Sequence, residues 1–187
     1  MLQALPGVEV TFSEADNASL PGSGRKAMRN WSRRQPCCHR PRIHQLSDGR
    51  FSCAGCGTWY SASHSGTVLG CARSTRPVGI DVQVDCHRPA AMRRLGRICG
   101  ISQGTIRHWS VVEAVVKAQG RAGAVPTPKS YLLPEIIPDG TIGLPGASVT
   151  VATSTWREAS VAIAVLDVLD ATEDPGDKQP GYGQESQ

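Results

Sequence analysis

Two short segments constrain this chain more than anything else in it. Val78-Gly79-Ile80-Asp81 reads as an apolar strand that ends in a carboxylate. Trp109-Ser110-Val111-Val112-Glu113-Ala114-Val115-Val116-Lys117-Ala118 reads as a helix, whose period sets Trp109, Glu113 and Lys117 on one face at i, i+4 and i+8. A carboxylate leaving a strand and a second in mid-helix can converge on one hard cation. A lysine one turn further along can then meet an anionic oxygen. This set suits a magnesium–pyrophosphate site, because Mg²⁺ takes one or two protein carboxylates and completes its octahedron with phosphate oxygens and water.

The rest of the pattern mixes strands with helices and predicts an α+β fold. Residues 14–25 read as a polar, glycine-rich loop and 26–34 as a short basic helix. Ser61 to Ser65 leads into a buried strand at Thr67–Ala72, and a turn at Ser74-Thr75-Arg76-Pro77 makes that strand a hairpin partner of Val78–Val84. A helix over about 89–99 follows. Capping hydroxyls at 102–105 precede the long helix of about 105–119, which Gly120 closes. Tyr131–Ile137, Thr141–Leu144, Ser148–Thr153 and Ser160–Leu166 read as strands, the last apolar enough to be central. Ala171–Gln187 is acidic, Pro/Gly-rich and poor in apolar residues, which predicts a disordered tail.

Charge enters through its distribution. The net charge of +4 is mild, but Arg25, Lys26, Arg29, Arg33, Arg34, Arg40, Arg42 and Arg50 are eight of the twenty cations, and residues 25–50 hold one acid, Asp48. Such a stretch faces solvent, a phosphate ligand, an acidic protein or nucleic acid. The N-terminus lacks the pattern of a signal peptide, and no run approaches the ~20 apolar residues of a membrane span, so a cytoplasmic protein without membrane contact is expected. Seven cysteines are then expected as thiols.

Ser63-His64-Ser65-Gly66 carries little alone; a serine–histidine–serine turn can present an imidazole and hydroxyls to a phosphate. In company it carries more. The order SHSG, a strand, VGID, then W-S-x-x-E-A-x-x-K-A resembles the 4′-phosphopantetheinyl transferase superfamily, specifically its surfactin-synthetase-activating, pseudo-dimeric branch. SASHSGTVLGCARSTRPVGIDVQV resembles that branch over 24 residues and WSVVEAVVKAQG over another twelve; the likeness spans residues 45–167.

The resemblance implies transfer of the phosphopantetheine arm of coenzyme A to a serine of an acyl or peptidyl carrier protein, leaving adenosine 3′,5′-bisphosphate. Asp81 and Glu113 would bind Mg²⁺ with the pyrophosphate, and Glu113 would take the proton of the incoming serine. Lys117 would hold the pyrophosphate and stabilise the departing phosphate. Ser63 and His64 would grip phosphates of the nucleotide part, and Arg50 matches a basic position that meets coenzyme A phosphates. The implied plan is two similar α/β halves about a pseudo-twofold axis, here with a reduced basic N-terminal half (1–74), a metal-bearing C-terminal half (75–170) and the tail (171–187), monomeric by default.

Two positions depart from the family pattern. Gln83 stands where many relatives have a second acid, and keeps a carbonyl for the metal but no charge. Val112 stands where many have lysine before the helical glutamate; a lost charge-assisted contact costs ~1.5–3 kcal/mol. These departures motivate an alternative, a degenerate paralogue that binds coenzyme A or carrier without transfer. A second alternative is a basic zinc module for nucleic acid: Cys53-Ala54-Gly55-Cys56 has knuckle spacing, with Cys37, Cys38, His39 and His44 upstream. Against it, the chain has no second well-spaced C-x-x-C, so these cysteines are expected as incidental thiols. Cys71 and Cys99 read as small core residues.

Overall fold

The computed structural model describes residues 5–14, 22–85, 88–121, 131–144 and 149–167. Along the chain run β1 (Val8–Glu14), α1 (Ser23–Arg34), β2 (Ile43–Gln45), β3 (Phe51–Cys53), β4 (Trp59–Ser65), β5 (Val68–Ser74), β6 (Val78–Val84), α2 (Pro89–Cys99), α3 (Ile106–Ala118), β7 (Gly140–Gly143), β8 (Val149–Trp156) and β9 (Ala159–Leu166). The fold is α+β. One antiparallel sheet has the order β1-β5-β4-β3-β2 and the other β6-β9-β8-β7. The first ends at Ser74 and the second begins at Val78.

Side-chain parity explains how the sheets stack. On β6, Val78, Ile80 and Val82 join Val161, Ile163 and Val165 of β9 in a core shared with Val8, Val68 and Ala72 of the first sheet. The intervening residues of β9, Ala162 and Ala164, face the opposite way, into a core with Val111, Ala114, Val115 and Ala118 of α3. Both faces of β9 are therefore buried, which is why it reads as a nearly continuous apolar run. A third, smaller cluster holds α1 to the outer face of the first sheet through Met28, Trp31, Tyr60 and Cys71.

Small residues decide how near α3 comes. A Cβ on Gly79 would lie 1.9 Å from the carbonyl oxygen of Ala114 and 2.7 Å from the amide nitrogen of Ala118. The helix backbone thus rests directly on β6, a contact that any side chain at position 79 prevents. At its start α3 is capped by Thr105, whose hydroxyl accepts from the His108 amide while the His108 ring accepts from the Thr105 amide. His108 is buried and also reaches the Pro134 carbonyl at 2.9 Å; burial holds its pKa below the usual value.

Four expectations are corrected. The first helix begins at Ser23, not at residue 26. Ser63-His64-Ser65 is not a turn but the end of β4, paired across the ladder to Val68, Leu69 and Gly70. β5 and β6 do not form a hairpin: β5 lies between β1 and β4, and β6 pairs with β9. Tyr131–Ile137 is not a strand, since Pro134 and Pro138 deprive it of donors; Leu133 and Ile137 instead anchor it to the α2–α3 core. The tail at 171–187 lies outside the described residues.

Candidate functional site

The site forms where β6 meets both β4 and α3. In its sheet β6 is an edge strand, with one ladder to β9. Its other edge meets three alternate serines of β4. Ser61 Oγ accepts from the Ile80 amide at 3.1 Å and Ser65 Oγ from the Val84 amide at 3.0 Å. Between them, Ser63 Oγ donates to Asp81 Oδ1 at 2.8 Å. An exposed strand edge is normally a liability, and here side-chain hydroxyls satisfy it while opening a polar seam between the sheets.

Lys117 enters this seam from α3. Its Nζ donates to Asp81 Oδ1 at 2.8 Å and to the Ile80 carbonyl at 3.1 Å. Asp81 is 2% exposed, and its second oxygen, Oδ2, is buried and makes no hydrogen bond among the described residues. Glu113, one turn before Lys117, is half-buried. Burial pushes its pKa up, the nearby Asp81 carboxylate pushes it further, and Lys117 pulls it partly back. Two carboxylates close enough to oppose each other's charge, one with a stranded buried oxygen, make a hard donor set that a divalent cation would satisfy.

The remaining residues of the sequence reading fall in different places. Gln83 shares the Asp81 face of β6 and is half-buried, two positions along. Arg50 follows the β2–β3 turn and packs at the C-terminal end of α3, where its Nη1 donates to the Ala118 carbonyl at 3.4 Å. Its guanidinium also pairs with Asp48 at 2.7 Å and lies 4.6 Å from the Trp59 ring centre; the Arg50 contact holds the Asp48 carboxyl below the usual range. Arg50 and Lys117 line one cavity of about 170 Å³, with Asp48, Tyr60, Ser61 and Val78. His64 does not join them: alternation along β4 turns it away from Ser63, and it is exposed.

Ser61 and Ser65 were not anticipated as members of this site, although the serine at every second position from 61 to 65 is a strand signal. Val112 is buried in the α3 core. A second cluster, remote in composition, gathers Cys37, Cys38, Cys53 and Cys56, with all four sulfurs within 4.8 Å of one another. The four thiols are gathered in space rather than scattered.

Compared with protein-family profiles and with curated proteins, the chain matches none. Among the described residues no helix is long and apolar enough to cross a membrane.

Proposed function

We propose that this chain is a magnesium-dependent 4′-phosphopantetheinyl transferase that moves the phosphopantetheine arm of coenzyme A onto a serine of an acyl or peptidyl carrier protein. The observation that carries the reading is the cluster of Asp81, Glu113 and Lys117. These residues come from two motifs, 32 and 4 positions apart (113 − 81 and 117 − 113); Lys117 bonds to Asp81 at the β6 edge, and Glu113, one helical turn before Lys117, is near enough for the Asp81 charge to raise its pKa.

Asp81 and Glu113, with Gln83 beside them, would hold Mg²⁺, which when bound would neutralise charge on the pyrophosphate of coenzyme A. Ser63 orients Asp81 by donating to Oδ1, which leaves Oδ2 as the available donor. Glu113, whose proton affinity is raised, is suited to take the hydroxyl proton of the incoming serine. Lys117 exchanges its bond to Asp81 for the departing phosphate, where a fixed cation stabilises developing charge. Arg50, across the 170 Å³ cavity, would meet a further phosphate, which a space of that size admits. The exposed Arg25, Lys26, Arg29 and Arg33 of α1 offer a docking face to an acidic carrier helix. Each sheet carries a helix on its outer face, α1 on the first and α3 on the second, which favours a plan of two related halves with one active site.

The test is mass spectrometry of an apo carrier protein incubated with the chain, coenzyme A and Mg²⁺. The expected result is a gain of the phosphopantetheine mass. That gain is reduced by ~10²–10⁴ in Glu113→Gln, consistent with loss of a positioned base. Asp81→Ala abolishes it, and Gln83→Glu preserves or raises it. No transfer to any of several carriers would refute the reading. Because Lys117 is already bonded to Asp81 and Ile80, a binder without chemistry is the rival; coenzyme A titration by calorimetry with heat but no transfer would select it.

A further inference from the structure

The four clustered cysteines do not belong to the carboxylate site, and they differ from the chain's other described thiols. Cys99 lies apart in the α2–α3 core, and Cys71, although it shares the α1 core with Cys53, is outside the group of four sulfurs that lie within 4.8 Å of one another. Cys37 and Cys38 lie in the irregular segment after α1, Cys53 ends β3, and Cys56 lies in the turn that follows. We propose that Cys37, Cys38, Cys53 and Cys56 bind one structural Zn²⁺ ion as a closed tetrathiolate site that clamps the β2–β3 hairpin to the chain leaving α1.

The geometry is the argument. With Zn–S bonds of about 2.3 Å, a tetrahedron has sulfur–sulfur edges of about 3.8 Å. Cys38 Sγ lies 3.8 Å from Cys53 Sγ, and Cys56 Sγ lies 3.4 Å from Cys37 Sγ. A disulfide needs about 2.05 Å, and all four thiols are free. Two of the sulfur pairs lie close to the tetrahedral edge length, all four sulfurs fall within 4.8 Å of one another, and no disulfide joins them, so the set has the span that one tetrahedral ion bridges. All-thiolate tetrahedral sites select zinc or iron–sulfur chemistry, and a closed four-ligand set suits a structural zinc.

The local backbone is shaped for the same purpose. Cys53-Ala54-Gly55-Cys56-Gly57 makes a tight turn, in which the Gly57 amide donates to the Cys53 carbonyl at 2.8 Å with Gly57 at φ 73°. The Arg42 amide donates to Cys53 Sγ at 3.4 Å, the kind of contact that supports a thiolate. Binding releases the thiol protons to solvent, so four thiolates and one Zn²⁺ carry a net charge of −2. Arg40 and Arg42 border Cys38 and Gly55 around a surface hollow of about 520 Å³ and supply the balancing positive field. The hairpin needs the clamp: β2 and β3 share three residue pairs, and β3 meets β4 through two. Strands that short are marginal without a further tie.

The experiment uses the whole chain, purified under reducing conditions without added metal. Elemental analysis is expected to return one zinc per chain. Replacement by Co²⁺ should give the thiolate charge-transfer and intense d–d bands of a tetrahedral sulfur site. Cys53→Ser and Cys56→Ser lose the metal, and Cys71→Ala keeps it. Because a serine variant can misfold, the wild-type chain is also treated with a zinc chelator. Amide exchange should then accelerate over residues 43–58 and stay unchanged over 78–84 and 106–118. Absence of zinc together with failure to take it up, iron with labile sulfide in its place, or a disulfide among the four in freshly purified protein would each overturn the proposal. Metal content is read without any transferase assay, so its failure is separate from failure of the proposed activity.

Discussion

The β6–α3 contact and the β2–β3 hairpin bring chemistry-bearing residues together by opposite means. At β6–α3, two regular elements are pressed backbone to backbone at Gly79, inside a core that runs from α2 to β9. The functional side chains project from fixed positions on a strand and a helix, so their convergence follows from packing. The hairpin has little core of its own. Its sulfurs converge because the end of β3 and the turn after it fold against the irregular segment that leaves α1. The lesson is that a site built on regular elements inherits its precision from the core, whereas one built on turns must bring its own cross-link.

That contrast can be broken most directly at Gly79. Gly79→Val places carbon atoms where the Ala114 carbonyl already is, so α3 must lift from β6. Urea denaturation should show a loss of ~3 kcal/mol or more, at or above the usual range for overpacking. Near wild-type stability would mean that the close approach of strand and helix does not hold the site.

A finer comparison sets two neighbours on β4 against each other. Ser63→Ala removes a hydroxyl that supports a buried carboxylate and should cost ~1.5–3 kcal/mol. His64→Ala, on the exposed face, should stay within ~0.5 kcal/mol. Equal losses in thermal melts would undo the assignment of the two faces. In the transfer assay the same pair discriminates again, since Ser63 positions Asp81 and His64 touches no member of the cluster.

The smallest expected effect concerns Glu113. Its raised pKa means that the folded chain holds this proton more tightly than the unfolded chain does. The ionised side chain therefore lowers stability at pH values above the raised pKa. That cost fades as pH falls through it and vanishes below the ordinary value of 4.5. Without magnesium, Glu113→Gln should melt slightly higher than wild type near about pH 7, with the difference closing toward about pH 4. A lower melting temperature for Glu113→Gln at neutral pH would show that the ionised carboxylate stabilises the fold, contrary to its surroundings.

Legibility tracked regularity. The helix at 106–118, its threonine cap, the strand at 78–84 and the central strand at 159–166 are readable because long apolar runs and capping chemistry are local signals. Ser61-Ala62-Ser63-His64-Ser65 has the period of a strand but the polar composition of a turn, because its alternate hydroxyls serve the edge of another sheet. The supposed hairpin of β5 with β6 failed for a related reason. A four-residue turn signal says that the chain reverses but not that both strands enter one sheet. The cysteines resisted because C-x-x-C at 53–56 has no second spaced pair; its partners are vicinal, and only folding brings residues fifteen to nineteen positions away into reach.

By itself the sequence determined the α+β mixture, the carboxylate on a strand, and the carboxylate and lysine one turn apart on a helix. Those depend on periodicity and capping, which act over a few residues. Tertiary structure decided that Lys117 binds Asp81, that Ser63 and not His64 supports it, and that four thiols gather within 4.8 Å of one another. Each of those depends on which surfaces are buried against which, a choice made by the whole core through non-local packing that no local pattern encodes.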